Sequence, residues 1–324
     1  MNINDAEFKK IARNIGISLL AFIFMFFFVL SIYYIVFEDI IYGLFSPTLG
    51  KIVFEGLYGI LYAVTFVIPA LLYALLSKNQ KKEADVKFPL SPSTTVWTVL
   101  AAIAIIYSAA YINNLLSSFF DISDSLITAD ETSSLIDFLL LTFTMAIVPA
   151  FCEEFLFRKT ILKALLPYGE GLAILSSAVM FGMMHQNILQ IFYASMAGIV
   201  LGYAYVKTRS FLCVFLIHFA NNFSSVIQQT LVGNLNEPYA SFVGISLTAI
   251  VLILGAISII VLMRKENKQH DAYSTGSFEA ILRPSPNYLK NKTSFNCVKK
   301  LFLSPCVLIF IIICTLTCVS MIFR

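Results

Sequence analysis

Residues 171–206 read GLAILSSAVMFGMMHQNILQIFYASMAGIVLGYAYV, and this stretch contains no aspartate, glutamate, lysine or arginine. As one helix it would be about 54 Å long at 1.5 Å per residue, far more than the roughly 30 Å hydrocarbon core of a bilayer. Two helices joined at the polar pair Gln186-Asn187 fit that thickness better. We therefore predict two membrane spans here, at residues 171–187 and 188–206.

The composition of the whole chain agrees with a membrane location. Hydrophobic residues make up 59% of the sequence and charged residues 13%, with a mean hydropathy of +0.84. A soluble domain carries about 25% charged residues, so an ordinary soluble protein is excluded. We predict an all-α, polytopic bundle of nine transmembrane helices. The remaining spans are predicted at 15–37, 56–77, 95–118, 134–157, 210–230, 240–263 and 301–323.

The basic residues predict how the bundle is oriented. If the nine spans alternate, all of the 22 lysines and arginines except Lys51 and Arg324 fall on one side of the membrane. Basic loops remain in the cytoplasm, so we expect a cytoplasmic N-terminus, in a bacterial plasma membrane. An opposite-side loop is instead acidic, with Asp121, Asp124, Asp130 and Glu131.

Charged residues and histidines within the spans are few, and they fall on three helices. The candidate site residues are Glu153, Glu154 and Arg158 in the fourth span and its extension, His185 in the fifth, and His218 with the nearby Asn222 in the seventh. Measured along the helices from the cytoplasmic end, Glu153 lies about 20 Å deep, His185 about 21 Å, His218 about 12 Å and Asn222 about 18 Å. Because intramembrane ionisable groups usually face a cavity or a partner, we predict one polar cluster.

Such a cluster has the groups needed to hydrolyse an amide. A carboxylate beside an imidazole can activate water as a general base, and a second imidazole and an amide can donate hydrogen bonds to a developing oxyanion. Three other interpretations remain open. Glu153, His185 and His218 could bind zinc with one open position, the cluster could relay protons in a transporter, or the polar groups could only join helices.

The order of these residues resembles a known family. Glu-Glu-x-x-x-Arg from Glu153 to Arg158, Phe-x-x-x-His ending at His185, and His-x-x-x-Asn from His218 to Asn222 are similar to motifs of the CPBP intramembrane protease family. That family includes type II CAAX prenyl endopeptidases and bacteriocin-processing and immunity proteins. The resemblance covers roughly residues 140–230.

The resemblance implies an intramembrane endopeptidase and assigns a role to each residue. Glu153 would activate water with His185 as its partner, His218 and Asn222 would stabilise the oxyanion, and Glu154 and Arg158 would support the site. The expected partners are the lipid bilayer and a peptide or lipidated-peptide substrate, such as a CAAX-type tail, a leader peptide or a pheromone precursor, and no nucleic acid. No cofactor is expected, with zinc as the alternative. A catalytically silent scaffold or immunity protein is the alternative function.

The domain organisation follows from the same reading. We predict three N-terminal spans within residues 1–130, a catalytic core at 131–263, a cytosolic polar linker at 264–300, and an extra transmembrane helix at 301–324. The first eight spans would form the protease-like core. The six cysteines form no C-x-x-C pair, so we expect free, apolar thiols rather than a disulfide framework or a zinc site.

Overall fold

A computed structural model describes residues 5–78, 91–119, 134–232, 235–236, 238–274 and 295–322. Throughout these ranges the regular structure is helical, and no strand occurs in them. The helices are α1 (Asp5–Leu44), α2 (Pro47–Leu76), α3 (Pro92–Phe119), α4 (Leu135–Tyr168), α5 (Glu170–Met184), α6 (Ile188–Thr208), α7 (Phe211–Thr230), α8 (Tyr239–Ser274), α9 (Phe295–Phe302) and α10 (Pro305–Ile322). The predicted all-α polytopic bundle is confirmed.

Seven of the described helices are long and apolar enough to cross a bilayer. They correspond to the predicted spans one to four and six to eight. The exceptions are the fifth and the ninth predicted spans. Helix α5 has only 15 residues and rises about 22 Å, so the predicted fifth span is too short to cross the hydrocarbon core by itself.

The last predicted span, 301–323, is also revised. Helices α9 and α10 are bent by 63° relative to each other. The bend falls just before Pro305, which has no N–H to continue the hydrogen bonds of a preceding helix. These two helices are long and apolar enough to cross a bilayer only as a bent pair, so the described helices give seven or eight candidate spans rather than the predicted nine.

The break between α5 and α6 falls where the polar pair predicted it. Gln186 adopts a left-handed conformation with φ of 53°, which reverses the chain direction. Asn187 then caps α6, because its side-chain oxygen accepts a hydrogen bond from the Leu189 N–H at 3.0 Å. This turn leaves His185 at the end of a short helix, inside the bundle rather than at a membrane surface.

Helices α5 and α6 pack closely because glycine and small residues face each other. A Cβ on Gly198 would lie 2.9 Å from the Cα of Ala178, and one on Gly182 would lie 2.6 Å from the Ile191 carbonyl oxygen. Both distances are too short for a real side chain. The hairpin therefore has a fixed geometry, and it carries His185 at its tip.

Helix α4 departs from α-helical geometry on both sides of the predicted carboxylates. Val148–Glu154 is α-helical, but it lies between π-helical turns at Thr142–Ile147 and Phe155–Leu162. Pro149 accounts for part of this irregularity, since a proline cannot donate to the carbonyl four residues earlier. Single π-turns inside α-helices occur frequently at functional sites.

The C-terminal helices lie against the first helix. A Cβ on Gly16 would come within 2.5 Å of the Cys306 side chain, and Lys300 forms an ion pair with Asp5. The polar linker predicted at 264–300 is helical at both ends, because α8 continues to Ser274 and α9 begins at Phe295. Its middle and the acidic 121–131 loop lie outside the described residues. The domain boundaries stay predictions.

Candidate active site

A small cavity lies among α3, α4, α5, α6 and α7. Its volume is about 70 Å³, which is room for a few water molecules. Its polar lining consists of Glu153, His185, Tyr193, His218, Asn221 and Asn222. Apolar side chains complete the wall, among them Ile106 from α3 and Ala194 from α6. A polar pocket of this size inside an apolar bundle can hold a reacting water molecule.

Glu153 lies at the cavity wall and is only 4% exposed. Its Oε1 accepts a hydrogen bond from the Tyr62 hydroxyl at 2.6 Å, a length typical of an O–H donating to a carboxylate. Its Oε2 lies 3.9 Å from Nε2 of His218 and has no hydrogen-bond partner among the described residues. This oxygen keeps its acceptor capacity for a ligand or water.

Glu154 points to the other side of α4 and belongs to a chain of charges behind the cavity. Its Oε1 lies 2.9 Å from Nδ1 of His218, and its Oε2 lies 3.0 Å from Nε of Arg158. The second contact is an ion pair by distance but lacks hydrogen-bond angles. Glu154 and Arg158 are fully buried, so each needs the other to offset the cost of a buried charge. Their spacing of four residues predicted this pairing.

Phe181 packs against the two histidines and against Arg158 of the ionic chain, the name used here for the contacting residues His218, Glu154 and Arg158. The Arg158 guanidinium lies 4.9 Å from the centre of its ring, a cation–π contact that favours a buried cation. The edges of the His185 and His218 rings approach the same aromatic ring, with centroids 5.2 and 5.9 Å away. Phe181 thus fixes the relative positions of the groups on three helices.

His185 occupies the C-terminal end of α5. Its Nδ1 lies 3.0 Å from the Phe181 carbonyl oxygen. A carbonyl only accepts hydrogen bonds, so Nδ1 carries the proton and the neutral ring has its lone pair on Nε2. This arrangement provides a hydrogen-bond acceptor beside the cavity that His185 lines.

Asn222 is held by hydrogen bonds at both ends of its amide. Its Nδ2 donates to the Met145 carbonyl at 3.1 Å, a group that Pro149 cannot pair with because it lacks an N–H. Its Oδ1 accepts from Nδ2 of Asn221 at 3.2 Å, and Asn221 in turn accepts from the Tyr193 hydroxyl at 2.9 Å. One N–H of Asn222 therefore stays available to a ligand.

The structure brings the predicted residues together in two groups. Glu153, His185, His218 and Asn222 line one cavity. Glu154 and Arg158 lie behind it, where they hold His218. Their roles stay predictions.

Three polar partners were missed from the sequence: Tyr62, Tyr193 and Asn221. The sequence did contain a signal for Asn221, since it directly precedes Asn222, and Tyr193 follows a polar turn by two helical turns. Tyr62 belongs to α2, a region in which the sequence indicated only scaffold helices. It carries no charge and lies among 15 tyrosines and 30 phenylalanines, so nothing distinguishes it before folding.

The zinc alternative places a demand on the positions of Glu153, His185 and His218. A catalytic zinc site needs three protein ligands about 2 Å from one point. Among the described residues, no three histidine, cysteine, aspartate or glutamate side chains form a group that could hold a metal ion. Glu153, His185 and His218 line one cavity but do not form such a group, and the cofactor requirement stays a prediction.

The fold and this cavity define an integral, multi-pass helical membrane protein with a buried carboxylate, imidazole and amide site. Residues 135–224 match the family model described as type II CAAX prenyl endopeptidase Rce1-like. The predicted resemblance is thus confirmed for this segment, which is similar to a family of proteases. The matched segment runs from the start of α4 into α7 and contains every predicted site residue. No curated protein and no solved structure matches the chain in the corresponding comparisons.

Proposed function

We propose that this protein is an intramembrane endopeptidase that hydrolyses peptide bonds with a water molecule activated by Glu153. The observation that carries the proposal is the shared cavity, which brings a carboxylate, two imidazoles and an amide from three helices to a space large enough for water. The match of residues 135–224 to a protease family supports the same conclusion.

Glu153 is the general base of the proposed reaction. It accepts a proton from the water molecule while the water oxygen bonds to the peptide carbonyl carbon. His185 orients the same water by accepting a hydrogen bond at Nε2. When the tetrahedral intermediate collapses, the carbon–nitrogen bond breaks and Glu153 returns the proton to the leaving amine. Positioned acid–base groups of this kind contribute roughly 10²–10⁴-fold to rate.

His218 and Asn222 stabilise the oxyanion. The two carboxylates and Arg158 leave one net negative charge in the buried cluster, and a protonated His218 neutralises it. In that state Nδ1–H donates to Glu154 and Nε2–H can donate to the oxyanion. The second N–H of Asn222 adds another donor. Donors held in place before the reaction stabilise developing charge with little reorganisation.

The substrate class follows from the surroundings of the cavity. The bundle exposes apolar side chains on its outer surface, so a substrate reaches the cavity from or along the bilayer. We therefore propose membrane-associated or lipid-modified peptides, with CAAX-type tails, leader peptides and pheromone precursors as candidates. The bacterial plasma membrane and the cytoplasmic N-terminus stay predictions, because the assignment of the basic loops to one side assumed nine alternating spans, whereas seven described helices, or eight with the bent pair, are long and apolar enough to cross.

Cleavage assays in proteoliposomes test the proposal. Wild-type protein, Glu153→Gln and His185→Ala are incubated with a library of peptides and lipidated peptides, and products are identified by mass spectrometry. We expect cleavage by the wild type and at least a hundredfold loss in both variants. Glu38→Gln is the matched control, because Glu38 is exposed on α1. Cleavage that survives both substitutions contradicts the mechanism, and proton-coupled flux without cleavage favours the transporter.

A further inference from the structure

The hydroxyl group of Tyr62 comes from a helix outside the segment that matches the protease family. Tyr62 lies on α2, whereas the Rce1-like match begins at residue 135. Its hydroxyl group donates to Oε1 of Glu153 at 2.6 Å. This is the one direct side-chain hydrogen bond that Glu153 makes among the described residues.

The ring of Tyr62 is fixed by its neighbours. Tyr58 and Phe66, one turn away on either side, have ring centroids 5.9 and 4.9 Å from it. Phe66 is itself fully buried, and its ring centroid lies 4.8 Å from that of Phe22 on α1. Offset aromatic contacts of this kind restrain ring position, so the hydroxyl group reaches Glu153 from a rigid support.

The carboxylate of Glu153 has few other restraints. Its Oε2 has no hydrogen-bond partner among the described residues, and the nearest imidazole nitrogen is 3.9 Å away. Glu154, by contrast, has an imidazole nitrogen near one oxygen and a guanidinium near the other. Without Tyr62, the Glu153 side chain could rotate among its staggered conformations.

We propose that Tyr62 is the positioning residue for Glu153, holding Oε1 so that the remaining acceptor capacity faces the reacting water. The contact also ties the N-terminal helices to the site, so that α2 contributes to catalysis without contacting substrate. This inference rests on the proposed peptidase function for its kinetic consequence, but the contact itself is independent of any activity.

Infrared difference spectroscopy tests the contact directly. Protein with carbon-13-labelled glutamate is prepared as wild type and as Tyr62→Phe, which keeps the aromatic ring and removes the hydroxyl group. We expect a shifted glutamate carboxyl band in the difference spectrum. The same substitution made in a Glu153→Gln background should produce no such band. Identical spectra for wild type and Tyr62→Phe overturn the proposal.

Kinetics test the consequence. Hydrogen bonds to charged groups contribute enough that we expect kcat per folded molecule to fall about tenfold to a hundredfold in Tyr62→Phe, with KM within twofold. Tyr58→Phe is the control, since the Tyr58 hydroxyl has no hydrogen-bond partner among the described residues. A rise in KM at constant kcat, or an equal loss in Tyr58→Phe, overturns the positioning role. A wild type that cleaves nothing contradicts the proposed function, and the infrared band then decides the contact alone.

Discussion

The cavity and the ionic chain behind it use adjacent residues of one helix in different ways. Glu153 borders a space for water and makes one side-chain hydrogen bond, which it accepts from the uncharged Tyr62. Glu154 is fully enclosed and lies between a guanidinium and an imidazole. The residue type is the same, so the surroundings decide the role. A carboxylate with spare acceptor capacity can react, whereas one with partners on both oxygens holds its neighbours in place.

The largest effect is expected from breaking the ionic chain. Arg158→Met leaves Glu154 buried without its cation, and removing one partner of a buried pair costs about 3–5 kcal/mol. Chemical unfolding in mixed micelles should register this loss, and the exposed neighbour Lys159→Met should register almost none. Adding Glu154→Gln to Arg158→Met should recover stability, because the uncompensated charge is removed. A double variant no more stable than the single one contradicts this account.

A smaller effect is expected from substituting the cavity residue Asn222, and it should change kcat rather than stability. Asn222→Ala removes an oxyanion donor, and such losses lower kcat by roughly 10²–10³. The unfolding midpoint should change little in comparison with Arg158→Met. Asn114→Ala, an exposed asparagine on α3, serves as the control in the same cleavage assay. Full activity in Asn222→Ala would remove this residue from the mechanism.

A weaker effect on kcat is expected from Tyr193, which is linked to Asn222 only through Asn221. Tyr193→Phe removes the hydrogen bond to Asn221. Asn221 then has one restraint fewer, although its own hydrogen bond helps to orient Asn222. Because one neutral hydrogen bond contributes about 1 kcal/mol, kcat should fall roughly fivefold. Tyr203→Phe changes an exposed tyrosine of the same helix and should leave kcat unchanged. Equal rates for both variants would show that Asn222 is oriented without Tyr193.

No effect is expected from removing metal ions. The proposed reaction uses protein groups alone, so cleavage by the wild type should be the same before and after dialysis against a chelator. The measurement is the initial rate, with and without added zinc. A loss that zinc restores would replace the glutamate mechanism with a metal-dependent one.

Local spacing predicted the parts of the site that lie on one helix. The pairs Glu154 with Arg158 and His218 with Asn222 are four residues apart, and helical geometry places each pair on one face. The position of His185 followed from the uncharged stretch and its polar turn. Contacts between distant helices were not predictable in this way. Tyr62 is 91 positions from Glu153, and no periodicity links them.

Two prolines in the sequence mark structural features that the predicted spans did not take into account. Pro305 marks the break between α9 and α10, and the predicted last span ran across it. Pro149 cannot donate to the Met145 carbonyl four residues earlier, and this carbonyl accepts from Asn222 on another helix. In both cases the missing N–H of proline is the physical cause. The short length of α5 did have a local signal, since the polar pair Gln186-Asn187 already limited the predicted span to residues 171–187.

The most direct test compares the two adjacent carboxylates in one preparation. Glu153→Gln and Glu154→Gln are each assayed for cleavage per folded molecule and for the unfolding midpoint in the same proteoliposomes and micelles. We predict that Glu153→Gln keeps the wild-type midpoint and loses at least a hundredfold in rate, whereas Glu154→Gln unfolds far more readily. Wild-type cleavage by folded Glu153→Gln would contradict the account, as would a larger loss of stability in Glu153→Gln than in Glu154→Gln.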